Sequence, residues 1–237
     1  MYLWNTYTRE YKRIPNSNSS TKNVRAAFGF GYNDTTKDYQ VVRIVSFCDE
    51  NCHSEVEVYS LGENLWRRIE DIPYKISEEK VTGKLVSGAV HWIATRSNKS
   101  LRSPRIGIAY DIKGEKFREV PLPSPLPGYE SACLLNINIT TLEGCLCVLL
   151  HYSGFVHGWI MEDYGNWGSW SLLFHIGARA PYRFNIDTDV LAPLSFRVGA
   201  ILLSDQNHLY LYDKVSYSVI RVKIENLPKR HLRAVKL

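Results

Sequence analysis

The sequence predicts an all-β fold made of repeated four-stranded units, and three observations support this prediction. Of its 237 residues, 45% are hydrophobic and 12% are aromatic, including 15 tyrosines and 6 tryptophans. Aromatic and β-branched residues are favoured in strands. A sequence pattern also recurs at intervals of 51 to 55 residues. Within each full interval, four short apolar segments alternate with turn-forming residues, which is typical of an array of small antiparallel sheets.

The recurring pattern is a hairpin in which one bulky residue is followed by another seven positions later. Its anchors are Trp4, Tyr59, Tyr110, Met161 and Tyr212, spaced 55, 51, 51 and 51 residues apart. The second residues are Tyr11, Trp66, Phe117 and Val219, and in the longer fourth unit Trp170 follows a wider turn containing Gly165 and Gly168. Residues placed this way lie opposite one another in a hairpin, where a pair typically adds ~0.2 to 1 kcal/mol. We therefore predict core packing for these residues rather than a ligand-binding aromatic box.

Two further segments precede each hairpin after the first. One is strand-like and begins at Asp38, Gly88, Gly144 or Gly199, and a shorter apolar segment such as AAFGFGY from Ala26, GKLV from Gly83 or ACLLNIN from Ala132 comes before it. Four strands in a period of about 50 residues are typical of a β-propeller-like, kelch-like blade. The first hairpin lacks two strands, so we expect the array to start in mid-blade, and the ring can be incomplete. A fragmentary chain, a strand supplied by the C-terminal segment and an open ring all remain alternatives.

Charge and cysteine content narrow the functional classes. The formal net charge is +5, and basic residues are scattered except at Lys229, Arg230, His231, Arg233 and Lys236. We predict a domain over residues 1–224 and a solvated basic tail over 225–237, with no nucleic acid partner. Five cysteines are an odd number, which favours reduced thiols and a cytoplasmic or nuclear location. No apolar run approaches the roughly 18 residues of a membrane span, so we expect no membrane partner.

Several blocks of the sequence resemble the F-box-associated, kelch-like (type 1) domain of plant F-box proteins. LWNTYTREYKRIP resembles that family's LWNPSTREYKxLP, with Thr6 in place of the usual proline, and FGFGYNDTTKDYQVVRI resembles GFGYDxxxDDYKVVRI. GWIMEDYGNWGSWSLLFHI is similar to the family's IWxMKEYGVxESWTKLFxI. The resemblance covers roughly residues 2 to 222 and extends to the broad group that contains the S-locus F-box proteins. The helical F-box that would precede Tyr2 is absent from the sequence.

This resemblance implies a non-catalytic substrate-recognition module of an SCF-type, cullin-RING E3 ubiquitin ligase. Its implied partner is a target protein for ubiquitination, and a Skp-type adaptor and a cullin are implied only if an F-box lies upstream. The resemblance implies neither a cofactor nor covalent chemistry in this chain. A kelch-like carbohydrate-binding or enzymatic propeller is the alternative, and an interaction domain unrelated to ubiquitin is another.

Motifs for catalysis or metal binding are weak. The sequence contains no GxSxG elbow, HExxH pair or P-loop. Gly29 and Gly31 lack the third glycine and the helix of a phosphate loop, so we predict a tightly packed strand there. Cys48, Cys52 and His53 could contribute zinc ligands, but four ligands are needed and no second cluster exists, so we predict no metal. Cys145 and Cys147 are expected to be small core residues, and His91 a hydrogen-bonded core histidine.

Recognition is expected in the long connections, because loops on a rigid scaffold commonly carry binding function. These connections are NSNSSTKNVR, FCDENCHS, DIPYKISEEK, TRSNKSLRSPR, PLPSPLPGYE, HYSGFVH and GARAPYRFNIDT, and in a four-stranded blade they lie on one face. Tyrosine and arginine dominate interface hot spots. The predicted partner-binding residues are accordingly Tyr74, Arg96, Arg102, Arg105, Tyr129, Tyr182 and Arg183. Arg96, Arg102 and Arg105, together with Lys99, form a predicted basic patch for an acidic partner.

Overall fold

Strands make up nearly all of the regular structure in the computed structural model of the protein. The structure describes residues 1–17, 24–47, 53–76, 81–96, 105–128, 134–177, 191–197, 199–205 and 208–222. Within these ranges the helical content is one short 3-10 turn, Trp167–Ser169. None of the described residues forms a helix with the length and apolar character that a membrane span needs. The predicted all-β class is confirmed.

The strands within the described ranges are arranged in four four-stranded sheets and one two-stranded sheet. Each four-stranded sheet is an antiparallel meander in which consecutive strands are neighbours. The two-stranded sheet contains β1 (Tyr2–Trp4) and β2 (Tyr11–Arg13); the first four-stranded sheet contains β3 (Val24–Asn33), β4 (Asp38–Phe47), β5 (Ser54–Ser60) and β6 (Leu65–Arg68); the second contains β7 (Lys84–Val86), β8 (Ala89–Thr95), β9 (Arg105–Asp111) and β10 (Lys116–Val120). The third contains β11 (Leu134–Leu142), β12 (Cys145–Tyr152), β13 (Phe155–Met161) and β14 (Trp170–Gly177); the fourth contains β15 (Ala192–Arg197), β16 (Ala200–Ser204), β17 (Leu209–Asp213) and β18 (Ser218–Val222). The prediction of four strands per unit, preceded by a leading hairpin, is confirmed.

All five predicted cross-strand pairs occur in the observed register. The pairs are Trp4 with Tyr11, Tyr59 with Trp66, Tyr110 with Phe117, Met161 with Trp170 and Tyr212 with Val219. The anchors Tyr59, Tyr110, Met161 and Tyr212 are at most 2% exposed, as core packing requires. Core packing is wrong for Trp4 and Tyr11, which are 62% and 74% exposed. The reason is that Leu3, on the opposite face of this hairpin, packs against the cluster that contains Tyr59 and Trp66.

A common turn explains the seven-residue spacing. Four residues lie between the two paired residues that flank each turn, and the last of the four has positive φ: Arg9, Lys37, Asn64, Glu115 and Tyr217 have φ between 53° and 62°. The residue before each turn is Asn, Asp or Ser, and its side-chain oxygen accepts backbone N–H groups within the turn. Such side chains replace the missing ladder bonds at the turn. This chemistry fixes the turn length and therefore the pairing register.

The chain divides into two compact units, Met1–Val120 and Pro121–Leu237. The core of the first unit contains Val42, Val58, Trp92 and Ile108, contributed by its two four-stranded sheets. The core of the second contains residues of its own two sheets, including Leu149, Phe174, Ile201 and Tyr212. The assignment of one domain to residues 1–224 and a tail to 225–237 stays a prediction.

Close packing accounts for the alternation of Phe and Gly in β3. A Cβ atom built on Gly29 would lie 2.7 Å from carbons of Trp92 and Val90, and one on Gly31 would lie 2.1 Å from Ile112. The two glycines therefore admit side chains of the neighbouring sheet, which confirms the tightly packed strand that the sequence predicts. Phe28, Phe30 and Tyr32 occupy the other face of the same strand, since alternate residues of a strand point to opposite faces.

Other sequence-based predictions have mixed outcomes. Cys147 is buried, as predicted for a core residue, whereas Cys145 is only partly buried. His91 is 1% exposed and its Nδ1 lies 3.0 Å from the carbonyl oxygen of Lys84, which confirms a hydrogen-bonded core histidine. The long connection predicted at HYSGFVH is wrong. Tyr152 pairs directly with Phe155 across Ser153 and Gly154, because Gly154 adopts a φ of 94° that permits a two-residue turn.

Candidate functional site

The described part of the predicted recognition loops includes Tyr74, Arg96 and Arg105. Arg96 directly follows β8, and Arg105 begins β9 opposite Thr95. Tyr74 is held nearby because the backbone of Lys75 exchanges two hydrogen bonds with Thr95, of 2.9 and 2.8 Å. The structure therefore brings these three residues to the same end of the second sheet. Arg102, Tyr129, Tyr182 and Arg183, and also Lys99, lie outside the described residues, as do Cys48 and Cys52.

Glu119 connects two of the predicted residues. The hydroxyl of Tyr74 donates to its Oε1 at 2.9 Å, and Nε of Arg96 donates to the same oxygen at 3.0 Å. A second bond runs from Nη2 of Arg96 to Oε2 of Glu119, so the guanidinium contacts both carboxylate oxygens. A paired geometry of this kind fixes the orientation of the guanidinium plane. The side chains of Arg96 and Glu119 are 63% and 36% exposed, so this trio is open to a partner.

The hydrogen bonds among Tyr74, Arg96 and Glu119 shift the pKa values of the tyrosine and the glutamate. Hydrogen bonds from Arg96 and then from Tyr74 lower the pKa of Glu119, which keeps the carboxylate ionised at neutral pH. Burial first, and the hydrogen bond to Glu119 second, raise the pKa of Tyr74, so its hydroxyl remains protonated and continues to donate. The Glu119 carboxylate therefore balances the Arg96 charge. The predicted basic patch is weaker at Arg96 than the sequence indicates.

Glu119 was missed by the sequence analysis because it lies within β10, outside any loop. Within that strand, Phe117 packs against the core and Val120 is buried. No sequence signal shows that a residue of the fourth strand reaches the connection after the second. Only the pairing of β8, β9 and β10 in one sheet brings Glu119 to Arg96.

The arrangement is suited to binding. Arginine and tyrosine together offer a planar guanidinium, a ring face and directional donors, which is the chemistry of many protein interfaces. His53 of the weak metal motif lies near Phe47, with ring centroids 6.0 Å apart and ring planes tilted by 32°. Across the described ranges, His, Cys, Asp and Glu side chains form no group of three placed to hold a metal ion.

Comparisons with known proteins agree with this architecture. The family model for the F-box associated beta propeller domain matches residues 1–217. The chain belongs to this family. The resemblance seen in the sequence is thereby confirmed, and repeated four-stranded sheets are the architecture that a propeller domain requires.

Relatives of this F-box associated domain occur in Arabidopsis thaliana. F-box protein At3g07870 is 27% identical over 76% of this chain and 47% of its own length. F-box/kelch-repeat protein At3g23880 is 27% identical over 90% of this chain and 56% of its own length, and F-box protein CPR1 is 28% identical over 73% and 47%. The chain thus spans about half the length of these curated relatives. A solved protein structure from Lactobacillus plantarum aligns with 92% of the chain at 8% identity, with a TM-score of only 0.35.

Proposed function

We propose that this F-box associated domain is the substrate-recognition part of an SCF-type E3 ubiquitin ligase and performs no covalent chemistry itself. The family match over residues 1–217 is the observation that carries the proposal, since the similar proteins are F-box proteins. A Skp-type adaptor and a cullin would bind an F-box, and this domain would bind the target. The expected location is the cytoplasm, the nucleus or both.

The trio of Tyr74, Arg96 and Glu119 supports a protein partner. The guanidinium of Arg96 is oriented by Glu119 yet remains largely exposed, so a carboxylate of a partner can bind its outer edge without ordering a flexible side chain. Arg105 lies at the same end of the sheet. We infer that the target presents an acidic segment to this end of the second sheet.

Quantitative co-precipitation tests the binding role. The chain, its Arg96→Glu variant and an Arg197→Glu control would be compared by the amounts of each plant protein that they retain. Arg197 is a suitable control because it is also exposed and also paired with a carboxylate, that of Glu143. A target should be retained equally by the chain and by Arg197→Glu. The amount retained by Arg96→Glu should be at least about tenfold lower, because a like charge then faces the acidic segment of the target.

A reconstituted ligase tests the ubiquitin role separately. The chain would be joined to an F-box and combined with adaptor, cullin, RING subunit and ubiquitin-conjugating enzyme, and ubiquitin transfer to the retained protein would be measured. Transfer that is lost with Arg96→Glu supports the proposal. Binding without any transfer would instead indicate an interaction domain unrelated to ubiquitin. Retention that Arg96→Glu leaves unchanged would contradict the assigned surface.

A further inference from the structure

The first hairpin, formed by β1 and β2, exposes aromatic residues at positions that the other sheets cover. Trp4 and Tyr11 are 62% and 74% exposed, and Tyr2 beside them is 61% exposed. The rings of Tyr2 and Tyr11 contact each other edge to face, with centroids 6.0 Å apart. Tryptophan and tyrosine are enriched among the residues that dominate protein interfaces, and exposed apolar patches commonly mark an interaction site. This aromatic face is therefore a candidate docking surface.

Three anchors of the other sheets show what covers the position of Trp4 elsewhere in the chain. Each of them shares a hydrophobic cluster with the residue that directly precedes the anchor of the sheet before it. Leu3 packs in the cluster of Tyr59, Val58 lies in the core that contains Tyr110, and Ile160 packs against the core that contains Tyr212. By the same rule, Trp4 requires an aliphatic residue that directly precedes the anchor of a four-stranded sheet.

The fourth sheet carries an exposed face of this kind. Leu211 directly precedes the anchor of that sheet and lies in register between Leu202 of β16 and Ile220 of β18. Leu202 and Leu211 are half-buried, and Ile220 is 56% exposed. In the first sheet the equivalent residues Val42 and Val58 are at most 1% exposed, because the second sheet covers them. The aliphatic face of the fourth sheet is thus open where its counterpart is covered.

We propose that the chain associates head to tail, with the aromatic face of the first hairpin in one copy packed against the aliphatic face of the fourth sheet in a second copy. Trp4 occupies the anchor position, and Leu211 occupies the position against which an anchor packs. Both faces are open to solvent in a single chain, so a second copy supplies the cover that each lacks. Because two different faces meet, the contact is heterologous and adds further copies until a ring closes. Neither face includes the trio that is proposed to bind a target, so the two proposals stand independently.

Sedimentation velocity of the whole chain, from low to high micromolar concentration, tests this association. We expect the mean mass to rise with concentration to values above that of a dimer. Trp4→Glu and Ile220→Glu each place an unpaired charge inside the contact, so each should weaken association at least about tenfold. Both positions are exposed in the single chain, so the far-UV circular dichroism should not change. The controls Tyr7→Glu and Val215→Glu alter residues 95% and 81% exposed in the turns of the same two hairpins, outside both faces, and should leave association unchanged.

Mixing the two variants distinguishes this contact from other modes of association. Trp4→Glu retains an intact fourth-sheet face, and Ile220→Glu retains an intact hairpin face. At a concentration where each variant alone is monomeric, their equimolar mixture should therefore form a dimer with one copy of each and nothing larger. A native chain that is monomeric at every concentration, a mixture that does not associate, or a loss with Tyr7→Glu equal to that with Trp4→Glu would overturn the proposal.

Discussion

Arg43 and Glu57 form a buried ion pair between β4 and β5. Nη1 of Arg43 lies 2.7 Å from Oε2 of Glu57, and their side chains are 9% and 8% exposed. Ser17 donates to Glu57 and accepts from Arg43, at 2.6 and 2.9 Å. Arg43→Met leaves a desolvated carboxylate without its guanidinium, so we expect the free energy of unfolding to fall by about 3 kcal/mol. Urea denaturation would measure the change.

The matched control for that substitution is an exposed arginine in the same sheet. Arg68 pairs with Glu55 and Asp71, but its side chain is 52% exposed. Water screens such a pair, so Arg68→Met should cost less than about 1 kcal/mol. Combining Arg43→Met with Glu57→Met should recover much of the loss, since no charge then remains buried. A cost for Arg43→Met as small as that of Arg68→Met would contradict this account of the pair.

The residues of the candidate site differ in whether the sequence alone could identify them. Tyr74 and Arg96 could be selected as candidates because long loops and their residue types are visible in the sequence. Glu119 could not, because it lies within a strand and gains its role from a neighbour distant in the chain. Arg96 is 23 residues from Glu119. Such contacts depend on how strands and sheets approach, which residue type and spacing do not encode.

At the scale of the element, β3 depends on glycine for its packing. A methyl group at Gly29 would meet the Trp92 ring at 2.7 Å, which is closer than carbon atoms normally approach. Gly29→Ala should therefore lower the free energy of unfolding by about 1 to 3 kcal/mol, the usual cost of overpacking a core. Thermal or urea denaturation would measure it. Gly177→Ala in β14 is the control, because the nearest atom there is 3.6 Å away.

A double-mutant cycle separates overpacking from any intrinsic effect of alanine. Trp92→Leu removes the ring carbons that Gly29 approaches, so Gly29→Ala should cost less in that background than in the native chain. Equal costs in both backgrounds would show that the close approach to Trp92 does not determine the need for glycine.

The hairpins are the elements that sequence predicts best. Their register follows from local turn chemistry, in which Asn, Asp or Ser precedes four residues and the last adopts positive φ. The outer face of the first hairpin was predicted wrongly, because the same pattern of bulky residues occurs whether a second sheet covers them or not. Local pattern thus determines pairing, whereas burial depends on what packs against the element.

At the scale of the whole molecule, buried histidines make stability depend on pH. His91, His151 and His157 are at most 2% exposed, and burial lowers the pKa of each from 6.5 to about 4, with the charge of His175 contributing at His157. In the unfolded chain, histidine has a pKa of about 6.5. Between these values the unfolded state binds more protons than the native state. The stabilising contribution is therefore complete above about pH 6.5 and is lost as the pH falls towards 4.

Both compact units contain such a histidine, His91 in the first and His151 in the second, so acid should weaken both. We expect the free energy of unfolding to fall between about pH 7.5 and about pH 5 by up to about 2 kcal/mol for each buried histidine. Urea denaturation at the two pH values would measure it. The pKa values of Asp38 and Glu119 are lowered, so these carboxylates stay ionised over that range and do not contribute to the loss.

Because glutamine does not titrate, His91→Gln should reduce the pH-dependent loss by the share of one histidine, whatever it does to stability at neutral pH. An undiminished loss in that variant would show that His91 is already protonated in the native state at about pH 5.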